Sequence, residues 1–100
     1  MINHTVLFKF KDFDSDSAKK EAIERLTAVL LNLKNEISEL KHIEVNPHYT
    51  LDAPSFDICL ITHFESIADL DVYRVHPEHL KVIDLVKELT TERAAVDFNF

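Results

Sequence analysis

The sequence predicts an α+β fold: a four-stranded antiparallel sheet carrying its helices on one face, in the order β-α-β-β-α-α-β. Three observations point there. Strand-like alternation opens and closes the chain, in "HTVLFKFK" and "AAVDFNF". A long apolar stripe at three-and-four spacing runs from Ala22 to Ile37. The stretch "FDICLITHF" is apolar on both parities, as a strand buried on both faces must be.

From Asn3 to Lys11, His4, Val6, Phe8 and Phe10 share one face, and Thr5, Leu7, Lys9 and Lys11 the other. The polar run from Asp12 to Ser17 turns the chain, and Ser15 or Asp16 can cap the helix that follows. That helix carries Ala22, Ile23, Leu26, Val29, Leu30, Leu33 and Ile37 on one side. A second strand spans His42 to Thr50 with Ile43 and Val45 inward. Pro47 removes a ladder donor, so this strand is an edge or ends there. After a loop at Leu51–Ser55, a third strand covers Phe56 to Phe64. Ser66 caps a short helix from Ile67 to about Arg74. Pro77 starts another, reaching about Thr90 with Val82, Ile83, Val86 and Leu89 as its stripe. Ala94 to Phe100 forms the last strand.

This is the split βαβ, or ferredoxin-like, arrangement. With every helice-bearing surface on one side, the opposite face meets water or a partner. Leu7, Cys59 and Ile61 make that face apolar as well. Pairing two sheets face to face in a two-fold homodimer would cover it.

Totals narrow the function. One hundred residues suit a single domain, 1–100, and an apolar share of 46% is enough for a core without disulfides. Strand alternation begins directly after Met1 and no basic-then-apolar leader precedes it, so a secretory signal is not expected. No apolar run nears the roughly 18 to 20 residues that cross a bilayer. Cys59 is the only cysteine, and a cytoplasmic, reducing setting is expected. Eighteen acidic residues against eleven basic ones give a formal charge of −7, which repels nucleic acid and anionic membranes. The chain has no glycine. A P-loop, a GxGxxG turn and a GxSxG nucleophile elbow all need glycine, so none can be built.

The stretch "YRVHPEHLKVID", Tyr73 to Asp84, holds the least ordinary chemistry. His76 precedes proline and is pushed toward extended backbone, which suits an N-cap. On one continuous helix, Tyr73 and His79 would lie about 240° apart. Only a break at Pro77 lets them converge. HxxH from His76 to His79 could offer two imidazoles to a metal, but a third ligand must come from elsewhere, and no metal or other cofactor is expected. His42, His48 and His63 read as strand or surface residues. Cys59 reads as a small apolar residue rather than a nucleophile, and Asp69, Asp71 and Glu78 as a solvated helix face.

"HTVLFKFK", "FES" at Phe64–Ser66, "YRVHPEH" at Tyr73–His79 and "AVDF" at Ala95–Phe98 resemble the stress-responsive α/β-barrel (Dabb) family along the full chain. The resemblance implies a dimeric α+β barrel. Family members include stress-induced proteins without a known reaction and a plant cyclase that closes a linear polyketide by an aldol step. Likeness to that cyclase implies catalytic roles for Tyr73 and His79. It also implies a substrate pocket at His4, Val6, Phe8, Leu26, Leu60 and Leu85. Where the cyclase carries aromatic residues on its first helix, this chain has Ala22, Ile23 and Leu26, which implies a differently shaped pocket.

Chemically, a neutral His79 can remove a proton alpha to a carbonyl while the Tyr73 hydroxyl hydrogen-bonds the developing enolate. The helix dipole holds the His79 pKa down, whereas Glu78 and the net charge push it up. Three readings stand side by side: cofactor-free proton transfer, a pocket for a small apolar carbonyl compound without chemistry, and a structural stress protein with no ligand.

Overall fold

The computed structural model describes residues 1–47 and 55–100. Its elements are β1 (Ile2–Phe10), α1 (Asp16–Glu36), β2 (His42–Pro47), β3 (Ile58–Phe64), α2 (Ile67–Val75), α3 (Pro77–Leu89) and β4 (Thr90–Asn99). The strands form one sheet in the order β2-β3-β1-β4, with each neighbouring pair antiparallel. This is the expected ferredoxin-like α+β arrangement. β2 is indeed an edge strand, and its described part stops at Pro47. The expected continuation to Thr50, His48 and most of the loop before Ser55 lie outside the described residues.

Side-chain parity sets the architecture. Ile2, His4, Val6, Phe8 and Phe10 of β1 face the helices and are buried, with Ile58, Leu60, Thr62 and Phe64 of β3 beside them. Ala22, Leu26, Leu30 and Leu33 of α1 close this core from above, and Leu70, Tyr73, Val82 and Leu89 add the contribution of α2 and α3. Removing each large aliphatic side chain from water contributes about 1.5–3 kcal/mol. Two buried polar groups are satisfied within the core. Thr62 Oγ1 donates to the His4 carbonyl at 2.8 Å. Asp57 accepts the Phe10 N–H at 2.8 Å and pairs with Lys19 at 3.0 Å, tying β1, α1 and the entry to β3 together.

Serines start the first two helices. Ser15 Oγ accepts the Ala18 N–H at 3.0 Å and Ser66 Oγ the Asp69 N–H at 3.2 Å. No described residue has positive φ, so the fold manages its turns without glycine.

Two strand starts differ from expectation by two residues or more. β3 begins at Ile58, not Phe56. β4 begins at Thr90 immediately after α3, four residues ahead of Ala94. "TTER" has the composition of a loop, but Thr90, Glu92 and Arg93 pair with Phe10, Lys9 and Phe8 of β1 across a register shift at Lys9/Phe10. Pairing with an already formed neighbour overrides local propensity.

On the outer face the sheet carries Leu7, Cys59 and Ile61, each half-buried. Val96 and Phe98, opposite Thr5 and Asn3, join them, and Phe100 follows; these three are 55%, 47% and 59% exposed.

Candidate functional site

The α2–α3 junction is built by one residue. His76 is the C-cap of α2 and the N-cap of α3, with φ −62° and ψ 135°. Its backbone N–H donates to the Tyr73 carbonyl at 3.2 Å. Its Nδ1 accepts the Glu78 N–H at 3.1 Å, while Pro77 needs no partner at the first helical position. The cap expected for His76 is present. The turn swings the Tyr73 and His79 rings together, with centroids 4.2 Å apart and planes 37° apart. Phe64 backs Tyr73 at 4.9 Å.

These rings border a cavity of about 280 Å³ between sheet and helices. Val6, Phe8 and Leu60 form its floor, and Leu30, Val82, Ile83 and Val86 its helical walls. His4, Tyr73, Arg74, His79, Lys87 and Arg93 supply the polar groups. Small-molecule clefts generally run from about 300 to 1,000 Å³, so this one suits a small ligand.

Each polar group has a defined state. His79 Nδ1 lies 3.1 Å from the Arg74 carbonyl. A carbonyl only accepts, so Nδ1 carries the proton and the neutral ring keeps its lone pair on Nε2. Burial holds the His79 pKa below its ordinary value. The charges of His4, Arg93 and His76 act the same way, against the opposing Arg74 carbonyl. Tyr73 is 1% exposed, and burial pushes its hydroxyl pKa upward, so it stays protonated and able to donate. No described residue hydrogen-bonds this hydroxyl, yet it is not a sealed, unsatisfied group. It therefore reaches the cavity. His4 donates Nδ1–H to the Asp97 carboxylate, which also pairs with Arg74 at 3.2 Å. The His4 nitrogen left for the cavity is Nε2.

Of the residues expected at the pocket, His4, Val6, Phe8, Leu60, Tyr73 and His79 are brought together. Leu26 and Leu85 are not. Leu26 is fully buried under α1, and Leu85 lines a separate groove between α1 and α3 with Val29 and Leu33. Arg74, Lys87, Arg93 and Asp97 belong to the site or its support and were not among the expected residues. For Asp97 the signal was the parity of the expected last strand, where Ala95 and Asp97 alternate against Ala94, Val96 and Phe98; Arg93 continues that parity ahead of the expected start. The set with Val96 faces outward, so the set with Asp97 faces the helices. Among the described residues, no group of three or more His, Cys, Asp or Glu side chains is placed to hold a metal ion. No described helix is long and apolar enough to cross a membrane.

Comparison with known proteins agrees with this fold. Residues 2–100 match the family model of the stress responsive A/B barrel domain. A stress-response A/B barrel domain-containing protein of Arabidopsis thaliana is 30% identical over 98% of this chain and 46% of its own length. The chain spans less than half the length of the curated relatives it matches. A dimeric protein of unknown function with a ferredoxin-like fold from Bacteroides fragilis superposes with a TM-score of 0.89 at 28% identity. The match covers 99% of this chain and 95% of that one. The hydroxynitrile lyase of Passiflora edulis shares the fold, with a TM-score of 0.80 at 19% identity over 97% of this chain and 90% of its own. With a family model matched from Ile2 to Phe100 and the tyrosine and histidine of the YxxHPxH stretch meeting at one cavity, the chain belongs to the stress responsive A/B barrel domain family.

Proposed function

We propose that the cavity binds a small, largely apolar carbonyl compound and that His79 and Tyr73 act on it by cofactor-free proton transfer. One observation carries this reading: a neutral imidazole with a free Nε2 and an unpartnered phenol share one wall of a mostly apolar cleft. His79 Nε2 takes the proton from the carbon alpha to the carbonyl. The C–H electron pair becomes the C=C bond of an enolate, and the Tyr73 hydroxyl hydrogen-bonds the oxygen where charge collects. The enolate carbon then attacks a second carbonyl, as in a cyclase, and the resulting alkoxide takes the proton back from His79, or the enolate carbon is itself reprotonated by His79. His4, held by Asp97, offers a second Nε2 across the cleft. Leu60, Val6 and Phe8 keep water away from the reacting carbon.

The same proposal includes a homodimer, packed through the outer face of the sheet. Val96, Phe98 and Phe100 lie exposed there beside Leu7, Cys59 and Ile61, and similar structures are described as dimeric. A cytoplasmic setting accompanies it.

The test is exchange of the alpha protons of phenylacetone in D2O, followed by NMR. The wild type accelerates exchange, and His79→Ala loses about 100-fold or more of that acceleration. Tyr73→Phe, which keeps the ring stack but removes the donor, loses a comparable factor. Equal exchange in all three proteins would remove the mechanism and favour the structural stress protein with no ligand.

A further inference from the structure

The cavity is opposite in sign to the protein around it. The chain carries 18 acidic residues against 11 basic ones. Yet no carboxylate among the described residues lines the cavity, whereas Arg74, Lys87 and Arg93 all do. Arg74 is already engaged, with Asp71 and Asp97 each 3.2 Å away. Arg93 and Lys87 form no ion pair with any described residue. Arg93 extends from the helix-facing parity of β4, opposite Phe8 in register, so its stem rises from the apolar floor. Its charge reaches both reactive rings: it partly opposes the burial that raises the Tyr73 pKa and adds to the burial that lowers that of His79. An unpaired guanidinium at the edge of a low-dielectric cleft creates a local positive potential that a net-negative surface does not cancel. Its planar fork matches the two oxygens of a carboxylate.

We propose that the cavity selects small organic anions, with the ligand's carboxylate on Arg93 and its apolar body against Val6, Phe8 and Leu60. Lys87 adds attraction at the same mouth without fixing orientation, as a flexible ammonium does. This inference rests on the cavity being a ligand site and names the class of ligand. An oxo acid meets both demands at once: its carboxylate pairs with Arg93, and its ketone faces the Tyr73 hydroxyl. Arg93 is then a specificity-determining residue, which separates acids from neutral ketones of the same shape.

Benzoate and benzamide test this, since one is a carboxylate and the other its neutral isostere. Binding to the wild-type protein is measured by NMR titration at low salt, following the His79 ring protons. Benzoate binds at least about tenfold tighter than benzamide, the factor that 1.4 kcal/mol represents. It also raises the His79 pKa, as an anion beside an imidazole must. Arg93→Gln, on an exposed edge strand, abolishes the preference by lowering benzoate affinity far more than benzamide affinity. Lys87→Gln reduces it by a smaller factor. Equal affinity for the two probes overturns the anion inference and leaves the cavity reading standing. Benzoate binding undiminished in Arg93→Gln overturns it too. Failure of both probes to bind overturns the inference together with the ligand-site reading beneath it.

Discussion

The inner and outer faces of the sheet are made by alternate residues of the same strands, yet they reach different states. On the inner face, Val6, Ile58, Leu60 and Phe64 are each under 4% exposed beneath three helices. One residue along, Leu7, Cys59 and Ile61 stop at half-burial, and β4 adds Val96, Phe98 and Phe100 in the open. The difference is not one of composition, since both faces are apolar. It is one of cover. The described helices all pack on one side, so the second apolar face stays wet until another surface meets it. The inner face also holds the cavity between Phe8, Arg93 and α3, whereas the depression beside Leu7 and Cys59 on the outer face is more open.

The largest expected effect sharpens the contrast. Leu60→Ala removes a wholly buried side chain and costs about 2–5 kcal/mol in urea unfolding, whatever the protein concentration. Ile61→Ala, its neighbour on the other face, costs about 1 kcal/mol in dilute solution and more where subunits pair. Equal costs at every concentration would mean that the outer face is already finished within one chain.

Next comes the outer face itself. Phe98→Asp places a charge among Val96, Phe100 and their neighbours. Sedimentation analysis is expected to find the wild type dimeric and the variant monomeric. The wild-type melting temperature rises with protein concentration, and that of the variant stays flat. A wild type whose melting temperature ignores concentration would break the comparison at its root.

How much of this was readable beforehand depended on whether local pattern or pairing decided the outcome. The α1 stripe, the β1 alternation and the two-sided β3 each announce themselves within about ten residues, and the fold follows from their order. The convergence of Tyr73 and His79 was legible as a condition, because Pro77 has to break the helix before the rings can meet. Thr90 to Arg93 were not legible as strand. Their β-structure comes from β1, through Phe8↔Arg93 and Lys9↔Glu92, and a single sequence carries no pairing information. Missing that start hid Arg93, and with it the charge of the cavity. Leu26 and Leu85 fail for a related reason. Both lie on apolar helix stripes, but a stripe wider than the cavity says nothing about which member borders it.

Mild acid probes the two faces through a histidine on each. Burial lowers the pKa of His79 beside the cavity. On the outer face, burial and then the neighbouring His42 lower that of His63, while Glu44 opposes them. A histidine with a lowered folded pKa binds fewer protons folded than unfolded. Stability is therefore full above the unfolded value of 6.5 and falls as pH drops below it, until the folded value is passed. Melting temperatures measured from pH 7.5 to 5 are expected to decline in this window. His79→Gln and His63→Gln each flatten part of the decline. If His63→Gln flattens it only at high protein concentration, the outer-face titration belongs to subunit pairing.

The smallest effect concerns the junction that gives the inner face its chemistry. His76→Ala leaves Pro77 in place but removes the ring nitrogen that accepts the Glu78 N–H. Loss of an N-cap costs about 0.5–2 kcal/mol, and the freed N–H can reach water at this half-buried position, so a value near the lower end is expected. Ser66→Ala removes the equivalent group from α2 and serves as the matched control, for it caps a helix without setting the angle between Tyr73 and His79. The two variants should lose similar stability. They should differ in alpha-proton exchange, which falls several-fold in His76→Ala alone, because only there does the first turn of α3 slacken and carry His79 away from Tyr73. Equal exchange in both would mean that Pro77 and the packing of Phe64 behind Tyr73 hold the pair together without help from the cap.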